Sequence, residues 1–385
     1  MRASGGLGRS LRTYWDFYLF NFQSITFPLQ KITFNNKNNP FYKSLKDKVD
    51  SYFLTHQLDS KGNFSLYLKS TLQISSALAL YISLVFFSPS TWLSVLFCAL
   101  LGANLGFLGF NIMHEGGHQS FSNIKWINVA SAYFLNILGG NAMYWKVKHN
   151  INHHTYTNVK GMDEDIDIEP FMRLHTSQPK YWIHRFQHIY WIFLYGFTYF
   201  SWIFVSDFAK YFSGKIGSQQ ESQKWTMSEH LIFWVTKIMY VSVFLLLPAY
   251  IVGIVPTIIG FLIMMFACGQ TIGIVFQMAH VVEDRAFPLP KIGSTKIEKE
   301  WAVHQVETTA NFGTSNKTLS WFLGGLNFQV EHHLFPRISH VHYPAINRLV
   351  KETCKEHNVA YLEFPSLFSA FWSHLKHIRK MGIAA

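Results

Sequence analysis

The chain alternates between long apolar runs and polar stretches. Residues 72–113 are almost uninterruptedly apolar and break only at 88–91, while residues 231–280 are apolar with interruptions near Pro248 and Pro256. Each region is long enough for two helices of about 20 residues, the length that crosses the hydrocarbon core of a bilayer. The pattern therefore predicts an all-α, polytopic membrane protein with four transmembrane helices in two hairpins.

Two further segments, 126–145 and 181–212, are aromatic and apolar but interspersed with polar residues or glycine. This composition favours interfacial helices in the headgroup region, although hydropathy alone leaves open that one of them crosses the membrane. Residues 284–385 are polar, which predicts a cytosolic helical cap. We divide the chain into a cytosolic N-terminal segment at 1–68, a membrane and catalytic domain at 69–350, and a cytosolic C-terminal tail at 351–385 within the same cap.

Composition and charge narrow the class of protein. Charged residues make up only 14% of the chain, against about 25% in soluble domains. The net charge of +11 lies largely outside the apolar runs, so we expect contact with the bilayer and not with nucleic acid. The three cysteines are scattered and predict neither disulfides nor a thiolate metal site, and the first residues do not resemble a signal peptide.

The candidate chemistry lies in three clusters of histidine, HEGGH, HNINHH and QVEHH. Histidines three or four residues apart project from one face of a helix, and imidazole is the commonest metal ligand in proteins. Four crossings would bring the three clusters to one membrane face, which the Lys and Arg content of the polar segments assigns to the cytoplasm. The predicted ligands are His114, His118, His149, His153, His154, His332 and His333.

Seven clustered histidines exceed the needs of one zinc ion, which takes three or four protein ligands. Two metal ions are the natural interpretation, and nitrogen-rich ligation with open positions suits iron and oxygen chemistry. Glu115 and Glu331 stand beside ligands as possible outer partners. A polytopic metal transporter is a second class of function. The short fixed spacings and the scarcity of ionisable residues in the apolar runs argue against it.

Taken together, the three clusters resemble the three histidine boxes of the membrane fatty acid desaturases over about residues 70–350. The resemblance implies a site with two iron ions that activates O2 and removes two hydrogens from adjacent methylenes of an acyl chain. The substrate would be an acyl-CoA or an acyl-lipid. A hydroxylase using the same site is the alternative enzyme. The membrane would be the bacterial inner membrane, or the endoplasmic reticulum in a eukaryote.

Gln329 begins the third box, where many members of this superfamily carry histidine. Glutamine there resembles the front-end desaturases, which insert a double bond between an existing one and the carboxyl end. Gln329 is either a metal ligand or a hydrogen-bonding spacer. Residues 1–68 and 350–385 contain no haem-binding motif like that of a fused cytochrome b5. The resemblance therefore implies a separate electron donor, a ferredoxin or a cytochrome b5 with its reductase.

Several other residues are candidates for supporting roles. His280 ends an apolar run, where the family places an additional ligand, and His304 is either a ligand or a structural residue. The acidic run after the second box forms either a solvated loop or the acceptors for ring N–H groups of ligands; its members are Asp163, Glu164, Asp165, Asp167 and Glu169. We expect a surface loop at His340 and His342 and interfacial anchoring at His184 and His188, and possible supporting roles for Asn158 and Asn327.

Overall fold

The computed structural model describes residues 32–217, 222–290 and 294–384. These residues are mostly helical, as predicted. The helices are α1 Pro40–His56, α2 Phe64–Phe86, α3 Thr91–Gly117, α4 Lys125–Ile137, α5 142–156, α6 Trp182–Ser213, α7 Met227–Val252, α8 Ile254–His280, α9 Trp301–Thr308, α10 Lys317–Leu323, α11 Gln329–Leu334, α12 Tyr343–Glu356 and α13 Leu367–Ile383. Two parallel pairs of short strands join distant segments; they are β1 Thr33–Phe34 with β2 Lys296–Ile297, and β3 Asn311–Phe312 with β4 Glu363–Phe364.

Five of the described helices are long and apolar enough to cross a membrane: α2, α3, α6, α7 and α8. The chain is therefore a multi-pass membrane protein. The prediction of four crossings assigned the segment of α6 to an interfacial helix, whereas α6 is also long and apolar enough to cross. Helices α2 and α3 are joined at residues 87–90, and α7 and α8 meet at Gly253, whose φ of +96° suits a residue without a side chain. These are the two predicted hairpins.

Helices α3 and α8 run parallel and in close contact. A Cβ on Gly102 would lie 2.1 Å from the carbonyl oxygen of Met264, and one on Gly106 would lie 2.9 Å from Thr271. A later position in α3 therefore faces a later position in α8, so the two helices run in the same direction. Small residues that allow such close backbone contact are typical of helix pairs in membranes. The parallel packing brings the C-terminal ends of α3 and α8, with His114 and His280, to the same side of the bundle.

The contacts at the two ends of α6 indicate on which side of the bundle each end lies. Two ends on the same side require an even number of crossings between them, and α7 and α8 supply two. The start of α6 packs on the side of His280, where Gln187 donates a 2.5 Å hydrogen bond to the carbonyl of Ile378. After α6, Gly217 lies against Asn152 of the second histidine cluster. These contacts bring both ends of α6 towards the side of the histidines, while its middle packs along α8 at Gly196 and Phe204. The interfacial position of α6 and the number of four crossings therefore stay predictions.

The polar C-terminal third folds with α1 into a layer over this side of the bundle. Its core joins Phe41, Leu45 and Val49 of α1 to Ile346 and Val350 of α12. The predicted boundary at 350 lies inside α12, so the segments on either side of it are continuous. Much of the N-terminal segment, residues 1–31, lies outside the described residues. The outcome is a helical layer that covers the ends of the spanning helices.

Candidate metal centre

The predicted histidines converge into adjoining buried groups. Within each group, one potential ligand atom per residue lies within 4.8 Å of the others. The Nε2 atom of His149 is 3.3 Å from those of both His114 and His154, so the groups are contiguous. The first group is His114, His118, His149 and His332; the second is His153, His280 and His333; and His154 lies with His332 and His333 between them.

Wide helical turns with π-type hydrogen bonding aim two of the clusters. One spans Gly109–Met113, directly before His114, and the other spans Lys146–His153. Such a turn takes more than the usual 3.6 residues, so residues five apart come closer to the same helical face. This explains how His149 and His154 share the site although their spacing does not suit a regular helix. The two glycines of HEGGH also fit this packing, because a Cβ on Gly116 or Gly117 would meet Ser131 or Trp145 at 2.5 Å or less.

The atoms that face inwards have no partners within the protein. Ring nitrogens of most of these histidines are fully buried without a hydrogen bond, including Nε2 of His153, His332 and His333, and both nitrogens of His280. Burying a polar atom without a partner costs about 1–3 kcal/mol, and several such atoms at one point would be strongly destabilising. Metal ions bound by these nitrogens remove the penalty. The donor set therefore fits two metal ions with mostly imidazole ligands.

Two carboxylates accept hydrogen bonds from histidines of the second cluster. His153 donates from Nδ1 to Asp163 at 2.9 Å, and His149 donates from Nδ1 to Asp165 at 3.1 Å. Asp165 also pairs with Lys148 at 2.7 Å. Such bonds fix the tautomer of a metal-binding imidazole and turn its Nε2 towards the metal. Asp167 instead accepts from the backbone of Glu169, outside the site.

Uncharged side chains contact the Nδ1 atoms of the histidines in the third cluster. The sequence analysis did not predict these partners. His333 donates from Nδ1 to Oε1 of Gln305 at 2.8 Å, and Thr157 donates to the same oxygen at 2.9 Å. The Nδ1 of His332 lies 3.2 Å from the hydroxyl of Tyr343. Thr157 follows the second cluster by three residues, which is the only signal in the sequence that could have pointed to this set.

Burial controls the titration of these imidazoles. It lowers the pKa of His154, His332 and His333 well below 6.5, because the charged ring loses its hydration, and the neighbouring imidazoles lower it further. Burial also lowers the pKa of His153, but the charge of Asp163 and its hydrogen bond outweigh this effect, and the net pKa is raised. The rings are thus mostly neutral, as metal binding requires.

The residues whose roles were left open lie as follows. Gln329 is buried at the start of α11, three residues before His332. His304 is buried but belongs to none of the groups; its ring lies 4.9 Å from Phe34, and burial lowers its pKa to about 3. Asn158 donates to the carbonyl of His280 at 3.0 Å and so fastens the end of α8. Asn327 donates to Ser320 at 2.9 Å, away from the metal groups.

The expected surface positions of several histidines were wrong. His340 and His342 are buried, because the segment after α11 folds back under the cap. His340 donates to Glu115 at 2.6 Å, and its other ring nitrogen is 2.7 Å from Nζ of Lys69. His184 is also buried, with its Nε2 bonded to the carbonyl of Pro170. Sequence alone did not show these contacts, because their partners are distant in the chain.

The glutamates beside the ligands accept hydrogen bonds from other side chains and not from the predicted metal-binding imidazoles. Glu115 accepts from Ser120 as well as from His340. Glu331 accepts from Asn311 at 2.6 Å and from Asn347 at 3.1 Å. Burial raises the pKa of Glu331 to about 7, although both hydrogen bonds lower it. These contacts anchor the helices that carry His114 and His332.

Comparisons with known proteins identify the family of this chain. Residues 90–365 match the family described as fatty acid desaturase. The chain is 36% identical over 90% of its length to an acyl-lipid (8-3)-desaturase of Physcomitrium patens, of which it covers 72%. It is 33% identical over 93% of its length to an sn-1 linoleoyl-lipid 6-desaturase of Arthrospira platensis, of which it covers 97%. An acyl-lipid (8-3)-desaturase of Mortierella alpina is 30% identical over 89% of this chain and is covered to 78%. These relatives favour neither a hydroxylase nor a metal transporter.

Proposed function

Since this chain belongs to the fatty acid desaturase family, we propose that it inserts a cis double bond into the acyl chain of a membrane lipid through two histidine-bound iron ions. The chain is an oxidoreductase of lipid metabolism, and its substrate lies in the bilayer that its helices span. The observation that carries the proposal is the convergence of buried, unpartnered imidazole nitrogens at one side of the bundle.

The residues of the site fit iron. His114, His118, His149 and His332 would hold one ion, and His153, His280 and His333 the other, with His154 between them. When bound, iron supplies the reaction with O2 and the oxidising power to break an unactivated C–H bond. Asp163, Asp165, Gln305 and Tyr343 orient the rings through Nδ1. The cap covers the site and excludes bulk water from it, which protects reactive species from side reactions.

The substrate is proposed to be an acyl-lipid that already carries a double bond. The Arthrospira relative is named for action on linoleoyl lipid, and the two others are named acyl-lipid desaturases. Gln329 at the start of the third box supports the same front-end assignment through the family resemblance. The new double bond would lie between the existing one and the carboxyl group. Gln329 itself is proposed to space the third box, since a neutral amide is a weaker ligand than imidazole.

Electrons are proposed to come from a separate redox protein, a ferredoxin or a cytochrome b5 served by a reductase. The donor would reach the site from the cytoplasm. The excess of Lys and Arg, 33 against 22 Asp and Glu, lies largely in the segments on the side of the histidines, and this bias supports a cytoplasmic location of the cap.

The test is expression in a host without polyunsaturated lipids, supplied with linoleate and with a redox donor. We expect fatty esters with one additional double bond on the carboxyl side of the first, located by gas chromatography and mass spectrometry. The His333→Ala variant, at matched membrane abundance, should yield none. Iron analysis of purified protein should find about two ions per chain, the number that two ligand groups imply. A hydroxylated product, or full activity of His333→Ala, would contradict the proposal.

A further inference from the structure

A cavity lies far from the histidines, at the opposite end of α2, α3, α7 and α8. Its volume is about 570 Å³. Helices α2, α3, α7 and α8 all contribute to its lining, which includes Leu84 of α2, Cys98 and Leu101 of α3, Phe244 of α7, and Gly260 and Met264 of α8. Gly260 precedes His280 by 20 residues, which corresponds to about 30 Å along the helix. The cavity is therefore separate from the metal centre.

The sequence explains why the two hairpins leave this space. Pro248 lacks the backbone N–H of a helical residue, and a wide turn over Ser242–Leu246 precedes it. The carbonyl of Val243 turns towards the first hairpin and accepts a 2.5 Å hydrogen bond from the hydroxyl of Tyr81. Opposite, Gly260 presents no side chain, and a Cβ there would lie 3.0 Å from Sγ of Cys98. The hairpins thus touch at Tyr81 with Val243 and at Gly260 with Cys98, and the cavity borders both contacts.

One polar group in the lining has no partner. Thr257, in the first turn of α8, is only 7% exposed, and its hydroxyl makes no hydrogen bond. The hydroxyl of Thr271, the other threonine of this helix, donates to the carbonyl of Ala267 at 2.9 Å. A buried hydroxyl without a partner is costly. The oxygen is enclosed by its neighbours, so a ligand in the cavity reaches the hydroxyl when the side chain of Thr257 turns about χ1. The cavity then suits a ligand that offers a hydrogen-bond acceptor at the level of Thr257.

The cavity opens towards the lipid. Three residues of its lining, Val95, Ile251 and Val255, are 38%, 40% and 67% exposed on the outer, bilayer-facing surface. The turn at Ser88 and Pro89 also contributes to the lining and marks the membrane surface remote from the histidines. The ligand must therefore enter from the bilayer, with an apolar part inside and a polar part near this surface.

We propose that this cavity binds one acyl chain of a glycerolipid from the leaflet remote from the metal centre, with the ester carbonyl accepting a hydrogen bond from Thr257. The lipid fills the gap between the hairpins and holds them together. It is not the substrate of the desaturase, because its chain lies too far from the histidines. The inference does not depend on the proposed function.

The test measures lipid binding to the purified full-length protein by native mass spectrometry. The probes are palmitoyl-oleoyl phosphatidylglycerol and its ether-linked analogue, which lacks ester carbonyls. We expect the ester lipid to bind the native protein roughly two- to tenfold more tightly than the ether lipid, the worth of one hydrogen bond. The Thr257→Val variant should bind both equally and at the weaker level. Thr271→Val is the matched control and should keep the preference.

A second variant tests the cavity itself. Ser94 lines it, and Ser94→Phe should displace the lipid and lower the melting temperature gained on adding the ester lipid. Equal binding of ester and ether lipids by the native protein would overturn the proposal, and this arm needs no variant to fold. Oleic acid displacing the phospholipid at equal concentration would also overturn it, since a free fatty acid would then be the occupant. Catalytic activity and iron content are measured separately and decide only the proposed function.

Discussion

The hydrogen bond between His333 and Gln305 provides the sharpest test of how the protein orients its proposed metal ligands. In the Gln305→Leu variant, the acceptor at 2.8 Å from Nδ1 of His333 is lost, while the volume of the side chain is nearly kept. Gln305 is fully buried and lies in α9, outside the three histidine clusters. Any loss of metal affinity in this variant therefore comes from the orientation of the ring and not from a missing ligand.

The structure sets the size of the effect. A buried N–H left without an acceptor costs about 1–3 kcal/mol, and each 1.4 kcal/mol is about a tenfold change in affinity. Loss of an outer partner of a metal ligand typically lowers affinity by about 10- to 100-fold. Thr157 lies 3.2 Å from the same Nδ1 and can replace part of the lost bond. We therefore expect about a tenfold loss for Gln305→Leu and about a 100-fold loss for the double variant with Thr157→Val.

The assay is a competition for iron between the purified protein and a chelator, followed by metal analysis of the protein. Gln187 is the matched control, because it is equally buried and bonds only to the backbones of Arg173 and Ile378. Gln187→Leu should lower the melting temperature without changing the iron affinity. If Gln305→Leu holds both ions as tightly as the native protein, the reasoning that the Nδ1 partner orients His333 is refuted.

Three further predictions rest on other contacts. The His280→Ala variant removes one of three imidazoles of the second group, so iron content should fall from about two ions per chain to about one by elemental analysis; unchanged content would remove His280 from the ligands. Lys237 and Asp207 form a buried ion pair at 2.9 Å. The Lys237→Met variant removes the counter-charge of Asp207, so the free energy of unfolding should fall by about 3–5 kcal/mol. Thermal unfolding in detergent measures this, and an unchanged melting temperature would contradict a buried ion pair. Iron-free protein should lose stability on acidification, because burial holds the pKa of His154, His332 and His333 below 6.5 in the folded state. The stability is present above pH 6.5 and is lost below it as the unfolded chain takes up protons, so the melting temperature should fall between about pH 7.5 and about pH 5.5.

The hairpins and the ligand clusters could be predicted because they depend on local patterns. The apolar runs determined where α2, α3, α7 and α8 cross, since a bilayer demands an uninterrupted length of apolar helix. The spacing of His114 and His118 suits one face of a regular helix. The position of His154 could not be derived in this way, because the wide turn at Lys146–His153 changes the helical phase. Nothing in the spacing of the residues indicates that turn.

The partners of the ligands were less accessible to prediction than the ligands. Asp163 and Asp165 lie 10 and 16 residues after their histidines, His153 and His149, so a dense acidic run pointed to them. Gln305 is 28 residues from His333, in a segment without a distinctive pattern. The burial of His340 depends on Glu115, 225 residues away. Such pairs are fixed by the tertiary fold, and a single sequence does not contain the information to identify them.

The close packing of α3 on α8 connects the membrane part of the fold to the chemistry. Gly102 and Gly106 allow the two backbones to approach within contact distance. From there the same parallel alignment continues through Phe110, which packs with Val275 and Met278, to the ends of both helices. Because His114 and His280 stand at those ends, glycines up to three turns below them determine how far apart the two histidine groups lie. A larger residue at Gly102 would therefore separate the groups without touching a ligand, which explains why the spanning helices belong to the active centre as much as the cap does.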